Sequence, residues 1–259
     1  MRFRLLLAVA GMALCMAPIA RAAHPEQDLI DSASQVLDDA KHDPAFAGVG
    51  PLLKRAQAIM ILPALFKGSF VLSGEGGTGV LLTRHDGAWS QPAFYTLASA
   101  SLEFSIGARH SEVVLIVLTD RGKRAFLEDK FILAPPPPTP GGAGCAPKPR
   151  AGVSVPVPCP KNVVKRKLPS EPGITVVTIG GGSRPAVPID PTADIIAWTS
   201  STAASPGLVF NGSVIEPRET YDRGYYGRDV SSYDIITAAK VGNPGSSALR
   251  AKLDNMAGS

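Results

Sequence analysis

Four histidines, His24, His42, His85 and His110, supply the chain's imidazoles, and none stands at a metal-ligand spacing such as H-E-x-x-H. No G-x-S-x-G stretch offers a nucleophile elbow. Asp38-Asp39 and Glu128-Asp129 have the composition of a general acid/base pair. Both pairs fall on faces expected to meet water, where solvated charge is the simpler account. Gly74-Glu75-Gly76-Gly77-Thr78-Gly79 spells G-x-G-x-x-G. A dinucleotide site needs a helix directly after the glycines, so that its N-terminus meets the pyrophosphate. Here the glycines run into Val80-Leu81-Leu82-Thr83-Arg84, a strand-like run, so a hairpin or bulge is expected instead. Cys145 and Cys159 have no histidine beside them, which argues against a metal site. In an exported chain they form either a disulfide or a pair of free thiols. These observations predict no enzyme, no cofactor and no metal.

The elements that would position any site follow from periodicity. Glu26–Lys41 carries a helical apolar stripe, and Leu52–Ala58 a short helix or turn. Ala58–Leu62 reads as a strand ending at Pro63, with Phe70–Leu72 and Val80–Thr83 flanking the glycines. Ala93–Ile106 is strand-like with a break near Ala98–Ser101. Val113–Leu118 is apolar throughout, as in a strand buried on both faces. Asp120–Leu127 reads as a helix capped by Thr119. Ile174–Ile179, Ile195–Thr199 and Leu208–Ile215 extend the sheet. Ser231–Asp234 opens a helix through Ala239, and Ser246–Met256 reads as a frayed amphipathic helix. The expected class is α+β: a mainly antiparallel β-sheet core with N-terminal and C-terminal helices. Two aromatic clusters, Trp89–Tyr95 and Tyr221–Gly227, admit two accounts. They pack core and corners, or they form an interfacial rim beside Arg84, Arg109, Arg223 and Arg228.

The start of the chain has the form of a secretory signal. Arg2 and Arg4 precede an apolar run from Leu5 to Ile19, and Ala20-Arg21-Ala22 fits a cleavage site. The alternative is a retained N-terminal anchor. Leu14 before Cys15 is the wrong residue for a lipid-modified cysteine. Cleavage after Ala22 removes three arginines and takes the net charge from +4 to +1. A nearly neutral chain argues against nucleic acid as a partner. Residues 135–172 contain twelve of the 24 prolines and six cations against one acid. Such a segment cannot sustain a ladder and is expected to be disordered. The expected organisation is a signal peptide (1–22), a first domain part (23–134), a Pro-rich basic insertion (135–172), a second domain part (173–240) and a C-terminal tail (241–259).

Several stretches occur in a telling order: Leu62–Phe70, the glycine segment, Gly87–Tyr95 and Ile106–Leu115, then Ala193–Trp198, Phe210–Ile215 and Tyr225–Gly227. Together they resemble the SYLF domain family, also called the Ysc-type actin-binding domain, over about residues 29–238 without the Pro-rich segment. The later stretches fit a bacterial exported branch. The resemblance implies lipid binding, of anionic or phosphoinositide (phosphatidylinositol) headgroups in eukaryotic members, and no catalysis. Some yeast members also bind actin; an exported bacterial chain meets none, so actin is not expected as a partner. The sequence departs from the family at Ala98–Ser101, where a glycine-rich turn is usual, and at 135–172. That segment is either a true insertion or a stretch read out of frame.

The expectation is therefore a non-enzymatic, membrane-associated lipid-binding protein of the bacterial envelope, secreted to the periplasm or the outer-membrane periphery. The alternative is an envelope scaffold that binds a protein partner. Candidate headgroup contacts are Lys67, Arg84, Arg109, Lys123, Arg124 and Lys130, with Lys67 favoured for its motif position beside Gly68. Several must act together, since each cation adds about 1 kcal/mol at an anionic surface. Candidate interfacial aromatics are Trp89, Tyr95, Tyr225 and Tyr226.

Overall fold

The structure is a computed structural model and describes residues 24–46, 49–69, 73–101, 107–128, 131–133, 174–180, 192–200, 213–238 and 241–258. The signal segment, Phe70–Leu72, Leu102–Ile106, Lys130, the Pro-rich segment and both candidate disulfide cysteines lie outside these residues.

Among the described residues, nine strands make one sheet: β1 (Ala58–Ser69), β2 (Ser73–His85), β3 (Ala88–Trp89), β4 (Ala93–Ser101), β5 (Gly107–Val117), β6 (Phe131–Leu133), β7 (Val176–Gly180), β8 (Ile195–Thr199) and β9 (Ser213–Pro217). Their order is β6-β9-β4-β2-β1-β5-β8-β7, with β3 hydrogen-bonded to β2. Every pairing is antiparallel except that of β7 with β8. The helices are α1 (Pro25–His42), α2 (Gly50–Leu53), α3 (Asp120–Leu127), α4 (Glu219–Tyr226), α5 (Ser232–Ala238) and α6 (Ser247–Gly258). This is the α+β arrangement that the sequence implies.

Both faces of the central strands are buried, which explains their unbroken apolar runs. Successive residues of β1 alternate between two cores. Ile59 and Ile61 join Val80, Leu82, Val114 and Trp198 beneath α1 and α6. Met60 and Leu62 join Leu81, Val113, Leu115 and Phe126 beneath α3 and α5. Each fully buried side chain of this size contributes about 1.5–3 kcal/mol.

β1 does not end at Pro63. It continues to Ser69 through a bulge, because its registers with β2 and β5 both shift between Ile61 and Phe66. Proline lacks the ladder donor, and a bulge is where a central strand tolerates it. The glycines explain the rest. They lie inside β2, not in a hairpin, and face the bulge across the ladder. A Cβ on Gly77 would lie 2.3 Å from the Ala64 carbonyl oxygen, and one on Gly79 2.3 Å from that of Ile61. The tight turn comes later. Asp86 (φ 50°) and Gly87 (φ 85°) join β2 to β3 with the paired positive φ of a type I′ turn.

Other differences have similar causes. β4 passes without a break through Ala98–Ser101, since β2 pairs with it along that whole stretch. α4 takes residues expected only as an aromatic cluster and stops at Gly227 in the left-handed conformation. The C-terminal stretch is no frayed tail: Leu249, Leu253 and Met256 of α6 are buried in the core. Thr119 caps α3 as expected, accepting a hydrogen bond from the Gly122 N–H.

Two buried acids tie the layers together. Asp194 accepts from the Thr119 hydroxyl, the Thr175 N–H and the Arg121 guanidinium. Asp222, fully buried, accepts from the Phe94 N–H and the Ser232 hydroxyl and so links β4, α4 and α5. Burial pushes its carboxyl up to about 6.

Gly79→Ala should lower the unfolding free energy by about 1–3 kcal/mol in urea titration, because the new methyl meets backbone rather than a movable side chain. Asp222 predicts a pH dependence. Its raised folded pKa favours the fold below the unfolded value near 4, and this contribution is lost as pH rises through about 6. Unfolding free energies from urea titration should therefore fall across that window, by up to about 3 kcal/mol from this group. Asp222→Asn should flatten the slope; an unchanged slope would assign it to other groups.

Candidate functional site

Two exposed cations sit where α2 hands over to β1. The sequence Leu53-Lys54-Arg55-Ala56-Gln57 leaves the short helix and enters the sheet. Gln57 fixes that entry: its N–H donates to the Val117 carbonyl, and its carbonyl accepts from the Arg84 N–H. The end of β2 and the Asp86-Gly87 turn thus stand beside Lys54 and Arg55. Together with Ala257 of α6 they line an open depression of about 480 Å³.

Arg84 is the fixed cation of this cleft. Its Nη1 donates to the carbonyls of Leu53 and Lys54 at 3.1 and 3.2 Å, and its Nε to Gly87 at 3.1 Å. Its guanidinium lies 5.1 Å from the centre of the Trp89 ring, a cation–π contact. The side chain therefore caps α2, ties down the turn and covers a buried indole. Its Nη2 makes no hydrogen bond among the described residues, which leaves donors for an anion. Lys54 and Arg55 are exposed, and among the described residues neither side chain has an ion pair or hydrogen bond. Asp86 is the acid that lines the cleft. Next to it, Lys123 of α3 donates from Nζ to the Arg84 carbonyl at 3.0 Å, and burial holds its ammonium below the usual lysine range.

The six cations expected from sequence do not gather at one place. Arg84 and Lys123 meet at this end of the sheet, and α3 also carries the exposed Arg124 there. Lys67 and Arg109 pair in the ladder at the opposite end, past the bulge. Sequence reasoning missed Lys54 and Arg55. Their signal was a pair of adjacent cations at a helix end just before an apolar strand.

The expected aromatic rim is not there. Trp89 and Tyr95 are 2% exposed and Tyr225 9%, because their rings fill the core. Tyr95 donates to the Phe126 carbonyl at 3.1 Å, and Tyr225 packs edge-on against Phe94. Tyr226 is half-buried and donates to the Pro92 carbonyl at 2.7 Å; burial raises its hydroxyl pKa. These rings do core and corner packing. No helix among the described residues is long and apolar enough to cross a membrane.

The geometry defines a class of protein: an α+β domain on one mainly antiparallel sheet, with an open cationic cleft at one end. No family model matches the chain, and no solved structure does. Curated relatives do. The chain is 23% identical to SH3 domain-containing YSC84-like protein 1 of Rattus norvegicus over 186 residues, 71% of this chain and 44% of the relative. It is 24% identical to the protein of that name from Homo sapiens over the same shares. It is 35% identical to Protein YSC84 of Saccharomyces cerevisiae over 78 residues, 30% of this chain and 16% of the relative. The chain thus spans less than half the length of the curated relatives it matches. These similarities support a YSC84-like domain of the SYLF type.

Arg84→Ala should cost about 1–3 kcal/mol of stability by urea unfolding, since three charge-assisted bonds disappear and the α2 carbonyls lose a partner. Arg84→Lys should restore only part, because a lysine cannot reproduce the planar fork. The double variant Lys54→Ala, Arg55→Ala should stay within about 0.5 kcal/mol of the parent. A large loss there would show that these cations are structural.

Proposed function

We propose that this chain is an exported, non-enzymatic bacterial envelope protein that binds anionic, phosphoinositide-like lipid headgroups at a membrane surface through the cleft between α2 and the β2–β3 turn. One observation carries the reading: two exposed cations with no partner among the described residues, Lys54 and Arg55, stand beside an arginine already held in place. A fixed guanidinium loses little conformational freedom on binding, and flexible neighbours can adjust to the anion. Lys123 and Arg124 add charge on the same end of the sheet. The apolar segment ahead of α1 supports export to the periplasm or outer-membrane periphery.

A protein partner is the second reading. It is favoured by a relative of 35% identity over 78 residues that is named LAS seventeen-binding protein 3, from Saccharomyces cerevisiae strain YJM789. The expectation that actin plays no part rests on the export signal alone and gains no support from the comparisons.

Co-sedimentation with vesicles separates the two. Purified protein should pellet with phosphatidylglycerol-containing vesicles and not with pure phosphatidylcholine, and added salt should release it. The double charge reversal Lys54→Glu, Arg55→Glu should weaken binding by about 30-fold or more, taking about 1 kcal/mol for each cation lost. Deleting residues 135–172 should leave binding intact. Binding that ignores lipid charge, or that survives the double reversal, removes the cleft from the mechanism and promotes the protein-partner reading.

A further inference from the structure

We propose that Trp89 is a positioning residue of the cleft: its indole face holds the Arg84 guanidinium in place, so that a phosphate group in the cleft meets the arginine through Nη2. The inference rests on the lipid reading of the cleft and names a buried residue through which that reading works. Core packing alone does not account for an indole at this position. Trp89 is 2% exposed, yet its Nε1–H has no hydrogen-bond partner among the described residues.

A buried donor without an acceptor costs stability. Phenylalanine would bring an aromatic ring to the same core without that donor. What an indole does better than a phenyl ring is attract a cation to its face. Here the Arg84 guanidinium lies over that face, 5.1 Å from the ring centre.

The placement follows from the local fold. The Asp86-Gly87 turn joins β2 to β3 in a register that sets Arg84 directly opposite Trp89. Residues opposite one another in a ladder send their side chains to the same face. Trp89 is itself fixed. Its carbonyl accepts from Arg250 Nε of α6 at 3.1 Å, and its side chain belongs to the core beneath α1 and α6. Arg84 lines the cleft and Trp89 does not, so the ring backs the guanidinium. The carbonyls of Leu53, Lys54 and Gly87 engage Nη1 and Nε. With one face on the ring and two nitrogens engaged, the planar guanidinium presents Nη2 to an anion. The ring also keeps water from that face, and a charge shielded from water attracts an anion more strongly.

The test uses purified full-length protein and phosphatidylglycerol-containing vesicles, with affinity read by co-sedimentation. Trp89→Phe should bind about two- to fivefold more weakly than the parent, as expected for a weakened cation–π contact. In an Arg84→Gln background the same substitution should change affinity by less than about 1.5-fold, because Trp89 acts through the guanidinium. A purely structural role would give the same loss in both backgrounds. A spectroscopic readout needs no substitution. Protein labelled with 5-fluorotryptophan carries two fluorine resonances, one for each tryptophan. On addition of short-chain phosphatidylglycerol below its micelle concentration, the Trp89 resonance should shift. That of Trp198, on β8 and outside the cleft lining, should stay. A Trp89→Phe variant that binds as tightly as the parent overturns the proposal and leaves the lipid reading standing. So does an equal loss in both backgrounds, or a Trp89 resonance that does not move while the protein binds. A parent that does not bind the vesicles at all overturns the lipid reading itself.

Discussion

The structure depends on the burial of β1 from both sides. Ala58 to Leu62 sends alternate side chains into two cores, one under α1 and α6 and one under α3 and α5. A one-residue slip would exchange the two sets and spoil both cores at once, so the register is strongly specified. The same strand must then absorb Pro63. It does so in a bulge whose extra backbone presses against β2 where that strand has no side chains, at Gly77 and Gly79. Beyond the bulge the cores no longer cover the strand, and Phe66 is exposed there.

Arg84 sits at the join between stability and binding. Three of its donor contacts serve the fold, and its ring contact with Trp89 shields the core below. A residue so engaged is a poor flexible ligand but a good fixed one. The adjustable part of the site falls to Lys54 and Arg55, which cost the fold little to keep because they are exposed. Such a division permits an anion to be met by one oriented fork and two mobile charges.

What the sequence disclosed was local. β5 and β8 announced themselves by apolar runs, and α3 by the Thr119 cap, because each signal lies within a few residues of its consequence. The failures were of another kind. The glycines of β2 looked like a turn because their reason lies across the ladder, at Ala64 and Ile61. α4 was hidden by its tyrosines, and α6 by the weakness of a terminal amphipathic pattern whose partner, α1, is more than two hundred residues away. Trp89 and Tyr225 could be rim or core from composition alone; only packing decides. The six cations were sound as a list of charges and silent on distance, so Lys67 and Arg109 were grouped with Arg84, a strand's length away.

Net charge was the least informative quantity, for a physical reason. A chain of +4 over 259 residues does not look strongly cationic. Its acids and cations are sorted in space, however. Asp194 and Asp222 are spent inside, holding helices to the sheet. Asp43 accepts from the Trp198 indole, and Asp38 pairs with Lys252 of α6. Each acid used this way is removed from the balance at the surface, and each was selected by a partner that only the fold provides. The cations at the α2–β1 junction have no such partner among the described residues. A nearly neutral domain can therefore present a positive end, and the potential that an anion meets is set by which charges the core has consumed rather than by their sum.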